Sequence, residues 1–146
     1  MFEEPSFHTI DPKGRIIIPA RFRDDIKASG EYGIVVSNLN KCLYAYTIPG
    51  WQVTKEKIFG VNNATTQALK RFFVGNACRL ACDKQDRILV PPYLREYADL
   101  GKEIVLLGVG DHFEIWDKER WMEDRRKDEE LLGTQEAQDA CIALGI

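Results

Sequence analysis

The chain has 146 residues, enough for one compact domain or for two small halves that share a core. Its hydrophobic fraction of 45% excludes a disordered chain, and its longest apolar runs fall far short of the ~20 residues that a membrane span needs. The net charge is −3, but residues 1–110 hold 15 Lys/Arg and 12 Asp/Glu, whereas residues 111–146 hold 5 and 11. A mildly basic body can bind phosphates if its cations gather on one face. The N-terminus has no signal-peptide pattern, which predicts a cytoplasmic protein.

The first half of the chain alternates strand and helix patterns around one basic turn. Asp11, Pro12 and Gly14 favour a tight turn, because Asp opens it, Pro presets φ and Gly tolerates positive φ. The predicted elements are a strand over 6–10, the turn over 11–14, a strand over 15–18, a short helix from residue 19, and a hairpin of 33–37 with 42–47. Phe22 and Ile26 lie four residues apart, as on the buried face of a helix. The outward face of that helix would carry its basic residues, Arg21, Arg23 and Lys27.

The same plan returns in the second half of the chain. Residues 83–95 repeat residues 11–23, with the acidic residue, the arginine four positions later, three aliphatic residues, the proline and the final arginine aligned. Later matches, such as that of Trp51 with Trp121, fall at a spacing of 70 rather than 72, so the first copy carries two extra residues near 28–33. Agreement over roughly forty residues predicts one supersecondary unit that is used twice.

The connector between the copies and the segment after them are predicted to be helical. Helices are expected from residue 51 and over 64–74, and Asp117 is a candidate N-cap for a further helix from residue 118. The second copy is predicted to contain strands over 77–82 and 87–90, a short helix from residue 92, and a hairpin of 103–108 with 113–116. The predicted organisation is a first repeat at 5–51, a helical connector at 52–76, a second repeat at 77–124 and an acidic, helical tail at 125–146.

The cysteines and histidines form no metal-binding pattern. The cysteines lack the spacing of a zinc site and the histidines are isolated; these residues are Cys42, Cys78, Cys82, Cys141, His8 and His112. Disulfides are rare in a reducing cytosol. The sequence also has no activated Ser or Cys nucleophile and no phosphate-binding Gly-rich loop. We therefore expect no metal, no cofactor and no catalytic activity.

The repeated Asp-x-x-x-Arg motif admits three interpretations. In the first, Asp11 caps its turn and pairs with Arg15, as Asp83 does with Arg87, and the role is structural. In the second, Asp11 and Asp83 are paired catalytic acids, which must both lie close to one substrate. In the third, the loops contact nucleic acid, because Gly allows close backbone approach and two symmetric copies can follow a repeating duplex. The residues alone leave the structural and the nucleic-acid interpretations open.

Several segments in combination resemble the MraZ family of bacterial transcriptional regulators, whose halves are AbrB-like modules. In the first half these segments are 1–2, 7–15, 18–23, 42–46 and 72–75. In the second half they are Asp83, 87–91, 94–98 and 113–121. The resemblance extends to about Arg126, and the tail beyond Glu130 is expected to have no clear family counterpart.

The resemblance implies a mostly β fold with short helices (α+β), in which two pseudo-symmetric AbrB-like swapped-hairpin repeats form one barrel-like core, followed by a C-terminal helix. It implies binding of double-stranded DNA at repeated promoter elements of the division and cell-wall gene cluster, by a homo-oligomeric ring associated with the nucleoid. The DNA-binding residues that it implies are Lys13, Gly14, Arg15, Arg21, Arg23, Lys84, Arg87 and Arg95. Asp11 and Asp83 would stabilise the two turns.

The second motif departs from the family pattern at Asp86, where a Gly is usual. Asp tolerates the left-handed backbone region better than most residues do, so we expect the turn to survive. We expect its charge to compete for the guanidinium of Arg87 and to repel phosphate. Residues 11–23 carry four cations and one anion, and residues 83–95 carry three and two. The first motif should therefore contribute more to DNA binding.

Oligomer contacts are expected from aromatic residues, with core packing as the alternative for each; the candidates are Trp51, Phe72, Phe73 and Trp121. The rival class for the whole protein is a non-catalytic structural or protein-interaction module that shares the fold. Salt-dependent DNA binding would separate the two classes, because phosphate contacts make affinity fall as salt rises.

Overall fold

Eight strands and six α-helices make up the computed structural model, which describes residues 1–146. The strands are β1 (Pro5–Thr9), β2 (Arg15–Ile17), β3 (Gly33–Leu39), β4 (Cys42–Thr47), β5 (Cys78–Ala81), β6 (Arg87–Leu89), β7 (Glu103–Gly108) and β8 (Phe113–Asp117). The helices are α1 (Ala20–Ala28), α2 (Ile48–Phe59), α3 (Ala64–Leu69), α4 (Pro92–Ala98), α5 (Lys118–Leu132) and α6 (Gln135–Leu144). The predicted α+β class is confirmed, with 44% of the residues helical and 28% in strands.

The two repeats exchange their first strands. One six-stranded sheet has the order β1-β7-β8-β4-β3-β5, so β1 of the first repeat pairs with β7 of the second, and β5 of the second pairs with β3 of the first. The strands that follow, β2 and β6, pair with each other as a separate antiparallel ribbon. This exchange is the swapped-hairpin arrangement that the resemblance implied.

Equivalent hydrogen bonds in the two halves reveal a pseudo-twofold axis. The amide of Ile18 donates to the carbonyl of Asp86 at 2.9 Å, and the amide of Val90 donates to the carbonyl of Gly14 at 2.9 Å. The two bonds join equivalent residues, so exchanging the two repeats turns one bond into the other. The turn of each repeat is thus tied to the strand end of the other repeat, so neither repeat completes its own fold alone.

The main core lies between the ribbon and the six-stranded sheet. Ile16, Ile18, Ile88 and Val90 point inward from the ribbon segments and are fully buried. They meet buried sheet residues of both repeats, together with Phe22 and Leu94 from α1 and α4. Full burial of a side chain of this size contributes about 1.5–3 kcal/mol, so the shared core joins the two halves strongly.

A second apolar cluster covers the outer face of β3 and β4. It contains Trp51 and Ile58 from α2 and Phe73 from the connector, packed on Val35 and Tyr46. Trp51 and Phe73 are therefore core residues, which corrects their candidacy as oligomer contacts. Phe72 stays 42% exposed, and the ring of Trp121 packs on Phe7 with centroids 5.6 Å apart.

Helix boundaries depart from the sequence-based prediction in the connector. The helix α2 begins at Ile48, because the side chain of Thr47 accepts a hydrogen bond from the amide of Gly50 at 3.1 Å and Pro49 fits the first turn. The helix predicted over 64–74 consists of α3 followed by a π-helical turn over Lys70–Val74.

The C-terminal helices α5 and α6 contain no buried residue. The side chain of Asp117 caps α5 as predicted, accepting from the amide of Arg120 at 3.4 Å. None of the helices combines the length and apolar character that crossing a membrane requires.

Candidate nucleic-acid interface

The outer face of the β2–β6 ribbon presents two arginines and two aliphatic residues. Arg15 pairs with Leu89 and Ile17 pairs with Arg87, and directly opposed residues of a ribbon share a face. Ile17 and Leu89 are 54% and 55% exposed, whereas the alternate residues Ile16 and Ile88 are fully buried. Arg15 and Arg87 therefore project from one surface, related by the pseudo-twofold axis.

The first turn is built around the carboxylate of Asp11. Its Oδ1 accepts from the backbone amides of Lys13 and Arg15, each at 2.9 Å, and its Oδ2 accepts from Arg15 Nε at 2.5 Å. These contacts, with the Arg15 amide first among them, hold the pKa of Asp11 below its ordinary value.

The second turn repeats this arrangement. Asp83 Oδ1 accepts from the amides of Gln85 and Arg87 at 2.8 and 2.9 Å, and Oδ2 accepts from Arg87 Nε at 2.9 Å. The Arg87 amide, followed by its side chain, lowers the pKa of Asp83. Both aspartates thus make the contacts that the structural interpretation predicted, and a lowered pKa is opposite to what a general acid needs. Each arginine commits Nε alone, and both terminal nitrogens remain for a ligand.

The last position of each turn is Gly14 in the first and Asp86 in the second. Both take a positive φ, +91° and +61°, so Asp86 keeps the turn as expected. The carboxylate of Asp86 hydrogen-bonds to Tyr32 and forms an ion pair with Arg23. The expectation that it competes for Arg87 is wrong, because Asp86 points across the repeat boundary. Hydrogen bonding from Tyr32 first, and from Arg23 next, lowers the pKa of Asp86.

In the first turn, Arg95 occupies the place that Arg23 has in the second. Arg95 Nε donates to the carbonyl of Val90 at 3.0 Å. A Cβ at position 14 would come within 2.7 Å of Arg95 Nε, so Gly14 leaves the space in which this arginine lies. Each turn is therefore covered by the helix arginine of the other repeat, but only Arg23 is neutralised by a carboxylate.

The remaining predicted site residues have different environments. Arg21 is held by the N-terminal segment, because Nη2 donates to the carbonyl of Pro5 at 2.9 Å and Nε lies 3.5 Å from Glu4 Oε2. Lys13 and Lys84 are exposed and form no ion pair. The four cysteines are thiols, and no three His, Cys, Asp or Glu side chains come together in a way that could hold a metal ion.

Three residues beside these arginines were missed by sequence reasoning. Ile17 and Leu89 lie between the arginines on the ribbon face, and strand alternation around Ile16 and Ile88 could have identified them. The third is Arg79 on β5, which lines a cleft of about 560 Å³ together with Lys13 and Arg95. Eight of the nine residues that line the cleft belong to the second repeat, and the packing of the two repeats brings Lys13 of the first repeat to them.

The fold and this face define a class of protein: two swapped-hairpin repeats that share one core and present paired arginines on a short ribbon. A family profile described as "MraZ protein, putative antitoxin-like" matches residues 1–72 and again 73–141. The chain belongs to the MraZ family.

Relatives match along most or all of the chain. A protein of Desulforapulum autotrophicum named "Transcriptional regulator MraZ" is 55% identical over 146 residues, which covers 100% of both chains. A protein of the same name from Desulfosudis oleivorans is 41% identical over 148 residues, which covers 100% of both chains. Another of that name, from Carboxydothermus hydrogenoformans, is 44% identical over 123 residues, which covers 83% of this chain and 84% of the relative. The expectation that the tail beyond Glu130 has no family counterpart is therefore wrong.

Proposed function

We propose that this protein is a sequence-specific, non-catalytic DNA-binding transcriptional regulator, and that the outer face of the β2–β6 ribbon with its two turns is the DNA-binding surface. The observation that carries the proposal is the placement of Arg15 and Arg87 on one exposed face, each with its terminal nitrogens uncommitted. A guanidinium in this state can bind a guanine edge through two hydrogen bonds. The relatives named transcriptional regulators support the same function.

Exposed aliphatic side chains beside the arginines also suit a base-reading surface. Ile17 and Leu89 can contact thymine methyl groups, while the arginines bind polar base edges. Lys13 and Lys84 extend from the adjacent turns and carry no ion pair, so they are available to phosphates. The proposed DNA-binding residues are the predicted ones. Arg23 should contribute less than the others because it pairs with Asp86, and Arg21 should contribute less because it contacts the N-terminal segment.

The functional unit that we propose is a homo-oligomer that closes into a ring and binds repeated promoter elements of the bacterial division and cell-wall gene cluster. A single chain has a net charge of −3 and few uncommitted cations, so one copy should bind DNA weakly. Several copies on one duplex would raise the affinity through effective concentration. The proposed location is the cytoplasm, on the nucleoid. Light scattering should show an oligomer at the concentration used for DNA binding.

The test is titration of the protein onto a labelled duplex from the promoter region of its own gene, followed by fluorescence anisotropy at several salt concentrations. A shuffled duplex of equal length measures non-specific binding. We expect tighter binding to the promoter, with log affinity falling linearly as log salt rises. If the folded oligomer binds neither duplex at low salt, the regulator proposal fails and the rival class, a protein-interaction module, is supported.

A further inference from the structure

The cleft beside the first turn carries three cations and no anion. Lys13 comes from the turn, Arg79 from β5 and Arg95 from α4, and no Asp or Glu is among the nine residues that line the cleft. None of the three cations forms an ion pair within the chain. Three unpaired cations around one concave space repel each other, and an anion bound between them would reduce this repulsion.

The equivalent place beside the second turn is not cationic. With the repeats exchanged, Gln85 stands where Lys13 is, and Phe7 stands where Arg79 is. The third member, Arg23, is present but is paired with Asp86. The two places are therefore related by the pseudo-twofold axis in their backbone but differ in their charge. Because the difference involves all three positions, it amounts to a specialised site rather than a single chance substitution.

The cleft is continuous with the proposed DNA-binding face. Leu89 lines the cleft and also lies on the outer face of the ribbon, directly opposite Arg15. An anion in the cleft would thus be held beside whatever Arg15 contacts. In a DNA duplex the phosphodiester backbone flanks the groove in which base edges are exposed, and backbone contacts fix the register of a protein on the duplex.

We propose that Lys13, Arg79 and Arg95 form a clamp for a backbone phosphate of DNA at the first turn, and that the second turn has no counterpart. This inference rests on the proposed DNA-binding function and deepens it. The guanidinium groups of Arg79 and Arg95 can each donate two parallel hydrogen bonds to phosphate oxygens, and Lys13 adds a point charge. Each subunit then binds its element asymmetrically, anchored on the side of Arg15.

Arg79→Ala tests the clamp, because Arg79 is exposed and has no other assigned role. We expect weaker binding to promoter and shuffled duplexes by the same factor, and a salt slope reduced by about one per engaged subunit, with an unchanged melting temperature. Arg126→Ala is the matched control, since it removes an exposed arginine from α5 and should leave the slope unchanged. Arg79→Lys should restore part of the slope.

A neutral methylphosphonate, placed at each backbone position of the promoter duplex in turn, identifies the phosphate concerned. A methylphosphonate at one position of each bound element should weaken binding by the wild type but should not weaken binding by Arg79→Ala any further. If wild-type protein binds DNA and folded Arg79→Ala keeps the full salt slope, the clamp is refuted while the proposed function stands. If wild-type protein binds no DNA, the proposed function fails first. If Arg79→Ala instead loses only the binding of inorganic phosphate, the cleft is a site for small anions and the clamp is again refuted.

Discussion

The turns at 11–14 and 83–86 have the same backbone and different electrostatics. In both, an aspartate accepts from the amides two and four residues later and from the arginine Nε, and the fourth residue takes a positive φ. In the first turn that residue is Gly14, and Arg95 stays unpaired. In the second it is Asp86, which binds Arg23 and Tyr32. The backbone of each turn is thus fixed by its aspartate and its left-handed residue, while the charge beside it depends on Asp86 and on the cations that surround each turn.

The largest expected effect is the loss of promoter affinity in Arg15→Ala, compared with the smaller loss in Arg87→Ala. A bidentate base contact is worth about 1–3 kcal/mol, and an oligomer multiplies that loss over its engaged subunits. Arg15→Ala should therefore nearly abolish specific binding, roughly 100-fold or more in affinity. Arg87→Ala should weaken binding by roughly tenfold, because its turn lacks the Lys13, Arg79 and Arg95 cations. Promoter affinity, measured by anisotropy, is compared for the two variants.

Melting temperatures decide whether these losses are functional. Each arginine also closes its own turn through Asp11 or Asp83, so a structural role would lower stability and affinity together. Arg126→Ala again supplies the control for removal of one exposed arginine. Full promoter affinity in a stable Arg15→Ala oligomer would remove the first turn from the DNA-binding surface.

A second prediction concerns Gly14→Asp, the substitution that gives the first turn the last residue of the second. In Gly14→Asp, the new Cβ meets Arg95 Nε at 2.7 Å and the backbone must hold φ near +91° without glycine, which should lower the free energy of unfolding by about 1–2 kcal/mol. The new carboxylate should pair with Arg95 and reduce promoter affinity roughly tenfold. Chemical denaturation and anisotropy measure the two effects. Gly14→Asn, which is similar in size but neutral, should lose similar stability and less affinity.

The reverse substitution, Asp86→Gly, should strengthen binding by a smaller factor of roughly two to five. It removes an anion from the interface and releases Arg23 for phosphate. Loss of the contacts with Arg23 and Tyr32 should lower stability, whereas glycine adopts the positive φ at this position more easily than aspartate and should raise it. These two effects oppose each other, so the melting temperature should change little. Asp86→Asn separates the charge from the backbone effect. Weaker DNA binding by a stable Asp86→Gly variant would contradict the inequality of the two turns.

The smallest expected effect is on acid stability. The pKa values of Asp11, Asp83 and Asp86 lie below the ordinary value of 3.8, so each carboxylate binds protons less readily in the folded state than in the unfolded state. Their stabilisation is present above about pH 3.8 and is lost as the pH falls through the lower folded pKa values. Asp86→Asn should therefore show a shallower loss of melting temperature between about pH 4 and pH 2 than the wild type. Parallel curves for the two proteins would show that the Asp86 contacts contribute nothing to stability.

Much of the local structure could be predicted from the sequence because the signals act over a few residues. The repeat predicted two equivalent turns, and the structural interpretation of the Asp-x-x-x-Arg spacing predicted the capped turn and ion pair that both halves show. Strand patterns located all eight strands within a residue or two. The start of α2 was missed, because Thr47 was not recognised as an N-cap.

Contacts between the repeats could not be predicted in this way. The sequence favoured Arg87 as the partner of Asp86, one residue away, but the partners are Arg23 and Tyr32, 63 and 54 residues away. Arg79 had no visible role, and Trp51 and Phe73 gave no signal that separated core packing from surface contact.

The sequence by itself determined the repeat, the turns and the strand and helix pattern, since hydrogen bonds within four residues and side-chain periodicity need no knowledge of the chain path. Only the tertiary structure decided that the first strands are exchanged, that each turn is covered by the helix arginine of the other repeat, and that three cations meet beside Gly14. The physical reason is the shared core: Ile16 and Ile88 are buried only when the two halves pack together. That packing places side chains together which are far apart in the sequence.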